Sequence, residues 1–233
     1  MNRHLKKRAF VKWGASSIPA RQRWQNHLAQ WLIAGLMLLG INHLAFACYE
    51  SAYTSQVAYL SELALGDNNA ECVTFPYLGK YSNPSDQLPL YHAGIDLRAD
   101  DVPTYSIVKG TIKSTESSLG KVVIETDYNG SKAQVFYLHL GSFAVASGDQ
   151  VNVGDLIGTT GEAGSEGFPH LHIEVRRNYN GTSAVGRSSC SGTCDTQDKV
   201  AALTIAPEEV VLAVYRKMKQ HCTNCGSQNL IKI

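Results

Sequence analysis

Residues 170–175 read HLHIEV, an alternation that suits a β-strand with one face in a core. Alternate strand residues point to the same side and stand about 7 Å apart. His170 and His172 therefore look into one space, while Leu171 and Ile173 turn to the opposite, buried face. With that spacing one imidazole can bind a metal ion while the other reaches a water molecule on it. Working outward, residues 105–176 break into short strand-like runs: YSIVKGTIK from Tyr105, GKVVIET from Gly120, AQVFYLHL from Ala133, VGDLIGTT from Val153 and HLHIEVR from His170. Asn129-Gly130 favours a hairpin between the second and third runs. Gly148-Asp149 marks another turn, and Gly161 to Gly167 reads as a glycine-containing loop that delivers the chain to His170. The expected fold class is mainly β, an antiparallel sheet domain.

Two further histidine patterns lie upstream. In QVFYLHL, residues 134–140, Phe136, Leu138 and Leu140 alternate with Val135, Tyr137 and His139. The period predicts a core face for the first set and a chemical face for the second. In HAGID, residues 92–96, His92 and Asp96 are four apart, which a straight strand would separate by about 13 Å, too far to share one ion. The chain must bend, and Gly94 is where a bend is sterically easiest. His92 and Asp96 are therefore expected on a loop entering a strand that continues through Ile95 and Leu97.

His-x-x-x-Asp, then a lone His after an aromatic, then His-x-His, in that order over about 80 residues, resembles the lysostaphin and LytM-type zinc metalloendopeptidases. The resemblance covers residues 76–178 and implies their barrel-sandwich hybrid fold. It maps the ligands of a single zinc ion onto His92, Asp96 and His172, and the catalytic histidines onto His139 and His170; none of these five positions is substituted. Gly154 to Gly158 in VGDLIG, Gly161 before a loop and Pro169 before His-x-His match weaker family features. The implied activity is hydrolysis of peptide bonds in bacterial peptidoglycan, in stem or cross-link peptides, by a zinc-activated water. His139 or His170 would take the water proton and the other steady the oxyanion. Tyr137 could add a hydrogen bond or simply pack against the cleft wall. Glu174 could orient a ligand ring or stand as a solvated strand carboxylate. Two other functions fit the same residues: a non-catalytic, zinc-stabilised module that binds cell wall or activates another hydrolase, and a protein whose zinc only holds the fold.

The first 47 residues read as a separate object. Residues 1–49 hold seven Lys or Arg and no Asp or Glu, followed by the apolar run Trp31 to Ile41 and the small-residue pattern Ala45-Phe46-Ala47. This is the pattern of a signal peptide with a long basic n-region. Cleavage after Ala47 would leave Cys48 first and about 186 residues, with export to the periplasm or beyond. The run of eleven falls short of the ~20 residues that a spanning helix needs, so an uncleaved anchor is the lesser expectation. Lipidation of Cys48 is another, since Ala45 and Phe46 depart from a lipobox. Removing the leader takes seven of the 21 basic residues, leaving 14 against 20 acidic, so the charge moves from +1 to −6. The electrostatic case for nucleic-acid binding goes with the leader. A monomer without stable membrane insertion is expected.

All six cysteines follow the cleavage point, at 48, 72, 190, 194, 222 and 225. In an exported chain they suggest disulfides: Cys48 with Cys72 to tie residues 48–75, an N-terminal arm, to the peptidase domain 76–178, and Cys190 with Cys194 and Cys222 with Cys225 as local loops. The last four could instead ligate a structural zinc. Within the remainder, 179–233, the stretch rich in Gly, Ser, Thr and Asn at 178–197 is expected to be an exposed loop. Pro207 and the following EEVVLAVYRKMKQ read as a helix, expected to cap the domain, with contact to a partner or regulation of the cleft as the lesser expectations. The arm could also lie over the metal, with Asn68 or Asn69 as weak candidate ligands.

Overall fold

The computed structural model describes residues 48–66, 70, 72–82, 89–165, 167–186 and 195–221, all within the compact unit Phe46–Ile233. The leader, Asn68, Asn69 and the last four cysteines lie outside the described residues. Ten strands form the sheet: β1 (Val73–Phe75), β2 (Gly94–Arg98), β3 (Pro103–Tyr105), β4 (Gly110–Glu116), β5 (Lys121–Tyr128), β6 (Ser131–Phe143), β7 (Gln150–Val151), β8 (Leu156–Ala163), β9 (His170–Arg177) and β10 (Thr204–Ile205). Among the described residues three α-helices accompany them: α1 (Ser55–Leu65), α2 (Gln197–Leu203) and α3 (Pro207–His221). The main path runs β1-β2-β9-β6-β5-β4-β7, and its pairings are antiparallel. The domain is thus mainly β, as expected. β10 continues the line of β2 along β9, pairing Thr204 with Arg176 and Ile205 with Val175.

The site is placed by what happens to β6. Its first half pairs with β9 as far as Leu138 opposite His172. From His139 onward it pairs instead with β8, which itself pairs with β3. A register shift falls between His139 and Leu140, and His139 has φ 70°, the left-handed region that a non-glycine residue seldom occupies. An irregularity of this kind bends the strand and re-aims a side chain.

This overturns the expected faces of residues 134–140. Cross-strand partners share a face, and Phe136 and Leu138 stand opposite Glu174 and His172, so those two lie on the chemical side. Val135 and Tyr137 belong to the main core, together with Leu140. Simple alternation would have sent His139 into the core as well. The left-handed turn at His139 reverses the phase, so His139 reaches the site and Leu140 returns to the core.

Two other expectations change. The run 105–113 is not one strand, because the chain turns between β3 and β4, where Ser106 Oγ donates to Val108 O at 2.6 Å. β8 continues past Gly161 to Ala163, so the loop before His170 is shorter than Gly161 to Gly167. The Asn129-Gly130 hairpin forms as expected, with Tyr128 opposite Ser131 and φ of 50° and 79° at its two turn residues. The Gly148-Asp149 turn is also present, with Ala146 N donating to Asp149 Oδ2 at 2.8 Å.

The core lies on the sheet face away from the histidines. Ile95, Leu97, Leu171, Ile173 and Val175 supply it from β2 and β9, and Leu60, Leu65, Val210 and Val211 close it from α1 and α3. The role expected for the Pro207 helix is therefore seen, since α3 covers that core. Helix α1 was not expected from the sequence. Thr54 caps it by accepting from Val57 N at 3.3 Å, and Val57, Leu60 and Ala64 form its buried stripe. Full burial of Leu60 and of Leu65 contributes roughly 1.5–3 kcal/mol each. Residues 48–75 thus hold a core helix and an edge strand, and a Cys48–Cys72 disulfide closes them. Among the described residues no helix is long and apolar enough to cross a membrane.

Candidate active site

Two adjacent strands, β2 and β9, and the segment leading into β2 bring the predicted metal ligands together. Asp96 in β2 stands opposite His172 in β9, so strand register alone faces the carboxylate to the ring. His92 lies just before β2, where its backbone N–H donates to Gly79 O at 2.8 Å and its ring Nδ1–H donates to Pro76 O at 3.1 Å. That second bond leaves Nε2 with the lone pair. His92 Nε2 is 3.3 Å from Asp96 Oδ1 and 3.0 Å from His172 Nδ1, and His172 Nδ1 is 2.8 Å from Asp96 Oδ1.

These three atoms form a triangle suited to a cation. In a tetrahedral zinc site with bonds of about 2.0–2.1 Å, neighbouring ligand atoms are about 3.3 Å apart. The two imidazole nitrogens and one carboxylate oxygen, all buried, are also the donor types that zinc takes. The residues present fit the metal. Asp96 was expected on a loop with His92, but it sits inside β2; only His92 is outside the strand.

Gly94 serves a purpose that the sequence reading did not assign. Its φ is not positive, so conformational freedom is not what requires glycine there. A Cβ at this position would lie 2.8 Å from His172 Cε1, 2.9 Å from His172 Nε2 and 2.3 Å from Ile173 O. Gly94 leaves the space that the His172 ring fills.

His139 and His170 stand beside the triangle with ring centroids 4.4 Å apart. Each donates Nδ1–H to a backbone carbonyl, His139 to Ala163 O at 2.9 Å and His170 to Phe168 O at 3.0 Å. Nε2 of each neutral ring is then the basic atom. His170 Nε2 lies 3.8 Å from Asp96 Oδ1, and the Phe168 ring stacks on His170 at 4.4 Å. The structure therefore brings all five predicted residues into one cluster.

The electrostatics separate the two groups. Burial pushes His139 down to about 4, helped by the charge of His170, and burial likewise lowers His170. Both rings are neutral near pH 7. Burial would lower His172 too, but the bonds to Asp96 and the Glu174 carboxylate outweigh it and raise the ring to about 9. Asp96 is buried, which favours the acid, yet the charges and hydrogen bonds of His92 and His172 hold it well below the usual carboxylate range. A metal and a proton compete for the same nitrogen lone pair.

Neither guess about Tyr137 survives. Its ring is fully buried in the core, and its hydroxyl accepts from Ile107 N at 2.8 Å, which anchors the turn between β3 and β4. Glu174 is not a solvated carboxylate either. It is 1 % exposed and accepts from Val185 N at 2.9 and 3.2 Å. Val185 itself is buried against Ala93 and Val200, so the expected exposed loop at 178–197 is tied down at 185.

Residues 90–184 match the model of peptidase family M23. An uncharacterized metalloprotease of Buchnera aphidicola is 33 % identical over 112 residues, which cover 43 % of this chain and 30 % of that protein. The DD-carboxypeptidase/endopeptidase Mpg of Neisseria meningitidis serogroup B is 32 % identical over 113 residues, covering 47 % and 26 %. The chain thus spans less than a third of the length of these relatives. Among solved structures, the catalytic domain of the antimicrobial peptidase lysostaphin from Staphylococcus simulans aligns with 26 % identity and a TM-score of 0.40, over 49 % of this chain and 87 % of that one. The match to the model of peptidase family M23, over residues 90–184, spans all five clustered residues.

Proposed function

We propose that this chain is an exported, zinc-dependent endopeptidase that hydrolyses peptide bonds in bacterial peptidoglycan. The observation that carries the reading is the convergence of His92 Nε2, Asp96 Oδ1 and His172 Nδ1 beside a second pair of histidines whose Nδ1 atoms are already committed. His92, Asp96 and His172 would hold one zinc ion. When bound, it supplies Lewis acidity toward a carbonyl and lowers the pKa of water.

The remaining chemistry belongs to the chain. His139 and His170 are neutral at working pH, with Nε2 free to accept a proton. Once one ring has taken that proton, it becomes a donor that can pass it to the departing amine. The partner ring, a few ångströms away, can help orient the attacking water by accepting through its own Nε2. The backbone carbonyls of Ala163 and Phe168 keep both rings in the tautomer that these roles need. The named endopeptidase relative supports peptidoglycan as substrate. The Cys48–Cys72 disulfide supports an oxidising compartment, in keeping with the reading of residues 1–47 as a signal peptide.

Purified protein with its zinc quantified would be incubated with peptidoglycan and the released muropeptides identified by mass. New amino termini from wild type, absent with His170→Ala, are expected. One equivalent of zinc without any cleavage would favour the cell-wall-binding module instead.

A further inference from the structure

We propose that Glu174 is a positioning residue for the His172 ring, and that the segment reaching Val185 is built to hold it there; this rests on the assignment of His172 as a metal ligand. Three observations lead to it. His172 Nε2 is buried with no hydrogen-bond partner, and the Glu174 carboxylate is 3.8 Å away, in ion-pair range although beyond a direct hydrogen bond. Glu174 is directly opposite Gly94, the position whose missing Cβ leaves room for His172 Nε2. Both Glu174 oxygens accept from Val185 N, so the carboxylate is fixed from behind.

The consequence follows from imidazole chemistry. For Nδ1 to offer its lone pair to an ion shared with Asp96 and His92, the ring must carry its proton on Nε2. A carboxylate facing Nε2 favours that tautomer and raises the basicity of Nδ1, as carboxylates behind metal-binding histidines generally do. The anchoring continues beyond the sheet. Val185 packs on Ala93, next to His92, and on Val200 of α2. Arg176 donates to Ser183 O at 2.9 Å and lies 3.8 Å over the Tyr179 ring, which pins the intervening loop. Residues 179–185 and α2 therefore work for the metal centre, although they lie past the last recognisable motif.

The test is Glu174→Gln, with zinc affinity measured by competition against a chromophoric chelator and the fold checked by circular dichroism and thermal melting. Glutamine keeps an acceptor for Val185 N and loses the charge. The expected result is a near-wild-type melting temperature with zinc held about 10- to 100-fold more weakly. A folded Glu174→Gln protein that binds zinc within twofold of wild type would overturn the role. If that variant does not fold, Glu174→Asp retains the charge but withdraws it from the ring. A tenfold loss supports the proposal and wild-type affinity rejects it. His172→Ala runs alongside: full zinc retention there would remove the ligand assignment itself, and this role with it.

Discussion

The two halves of the site are held by different means. The proposed ligand half, Asp96 and His172, sits in register between two straight strands, with His92 secured just before the first of them by two backbone carbonyls. The half proposed to handle protons depends on irregular backbone. His139 occupies a left-handed conformation where β6 passes from one partner strand to another, and His170 is held at the very start of β9 through Phe168. Regular pairing places ligands at fixed spacing with little dependence on any one residue. The irregular half can be moved by a small change several residues away.

The largest effect that separates the halves is loss of metal. Asp96→Ala or His172→Ala is expected to bring zinc from one equivalent to near zero by elemental analysis. Chelation of the wild type should abolish turnover equally, and added zinc should restore only the wild type. Next, His139→Ala and His170→Ala are expected to keep one equivalent of zinc while kcat falls about 10²- to 10⁴-fold. Zinc loss from either variant would show that the two halves are not independent.

Two glycine substitutions sharpen the contrast at smaller amplitude. A Cβ at Gly94 meets the His172 ring, so Gly94→Ala should weaken zinc binding. A Cβ at Gly120, whose φ is 55°, would lie 2.2 Å from Leu140 O and 2.8 Å from His139 C, against the irregular turn of β6. Gly120→Ala should therefore lower kcat more than zinc affinity. Each change is expected to cost about 1–3 kcal/mol of stability through overpacking. Equal effects of both variants on both readouts would show that the halves move together.

The same division explains what could be read from the sequence. The shared direction of His170 and His172 was legible from the strand period, whereas the grouping of His92, Asp96 and His172 followed from the family resemblance, since the four-residue spacing pointed to a loop and Asp96 lies in a strand. The side on which residues 135–138 lie was not legible, since one left-handed residue at 139 inverts the phase and His is not a residue that announces such a φ. The role of Gly94 was hidden because its neighbour in space, His172, is 78 positions away. Helix α1 escaped because its stripe, Val57, Leu60 and Ala64, is short and borders small and polar residues. Val185 escaped because it follows a stretch whose composition resembles a free loop.

The smallest effect tests that inverted phase directly. If alternation had held, Tyr137 would face the substrate and Tyr137→Phe would lower kcat while leaving stability nearly unchanged. In the fold observed, the hydroxyl serves Ile107 N inside the core. Removing it leaves a buried N–H without its acceptor, at a cost of about 1–3 kcal/mol. Tyr137→Phe should therefore unfold at lower denaturant while its kcat, measured well below the transition, stays within twofold of wild type. A variant with unchanged stability and a tenfold lower kcat would put Tyr137 back on the chemical face and undo the placement of the turn at His139.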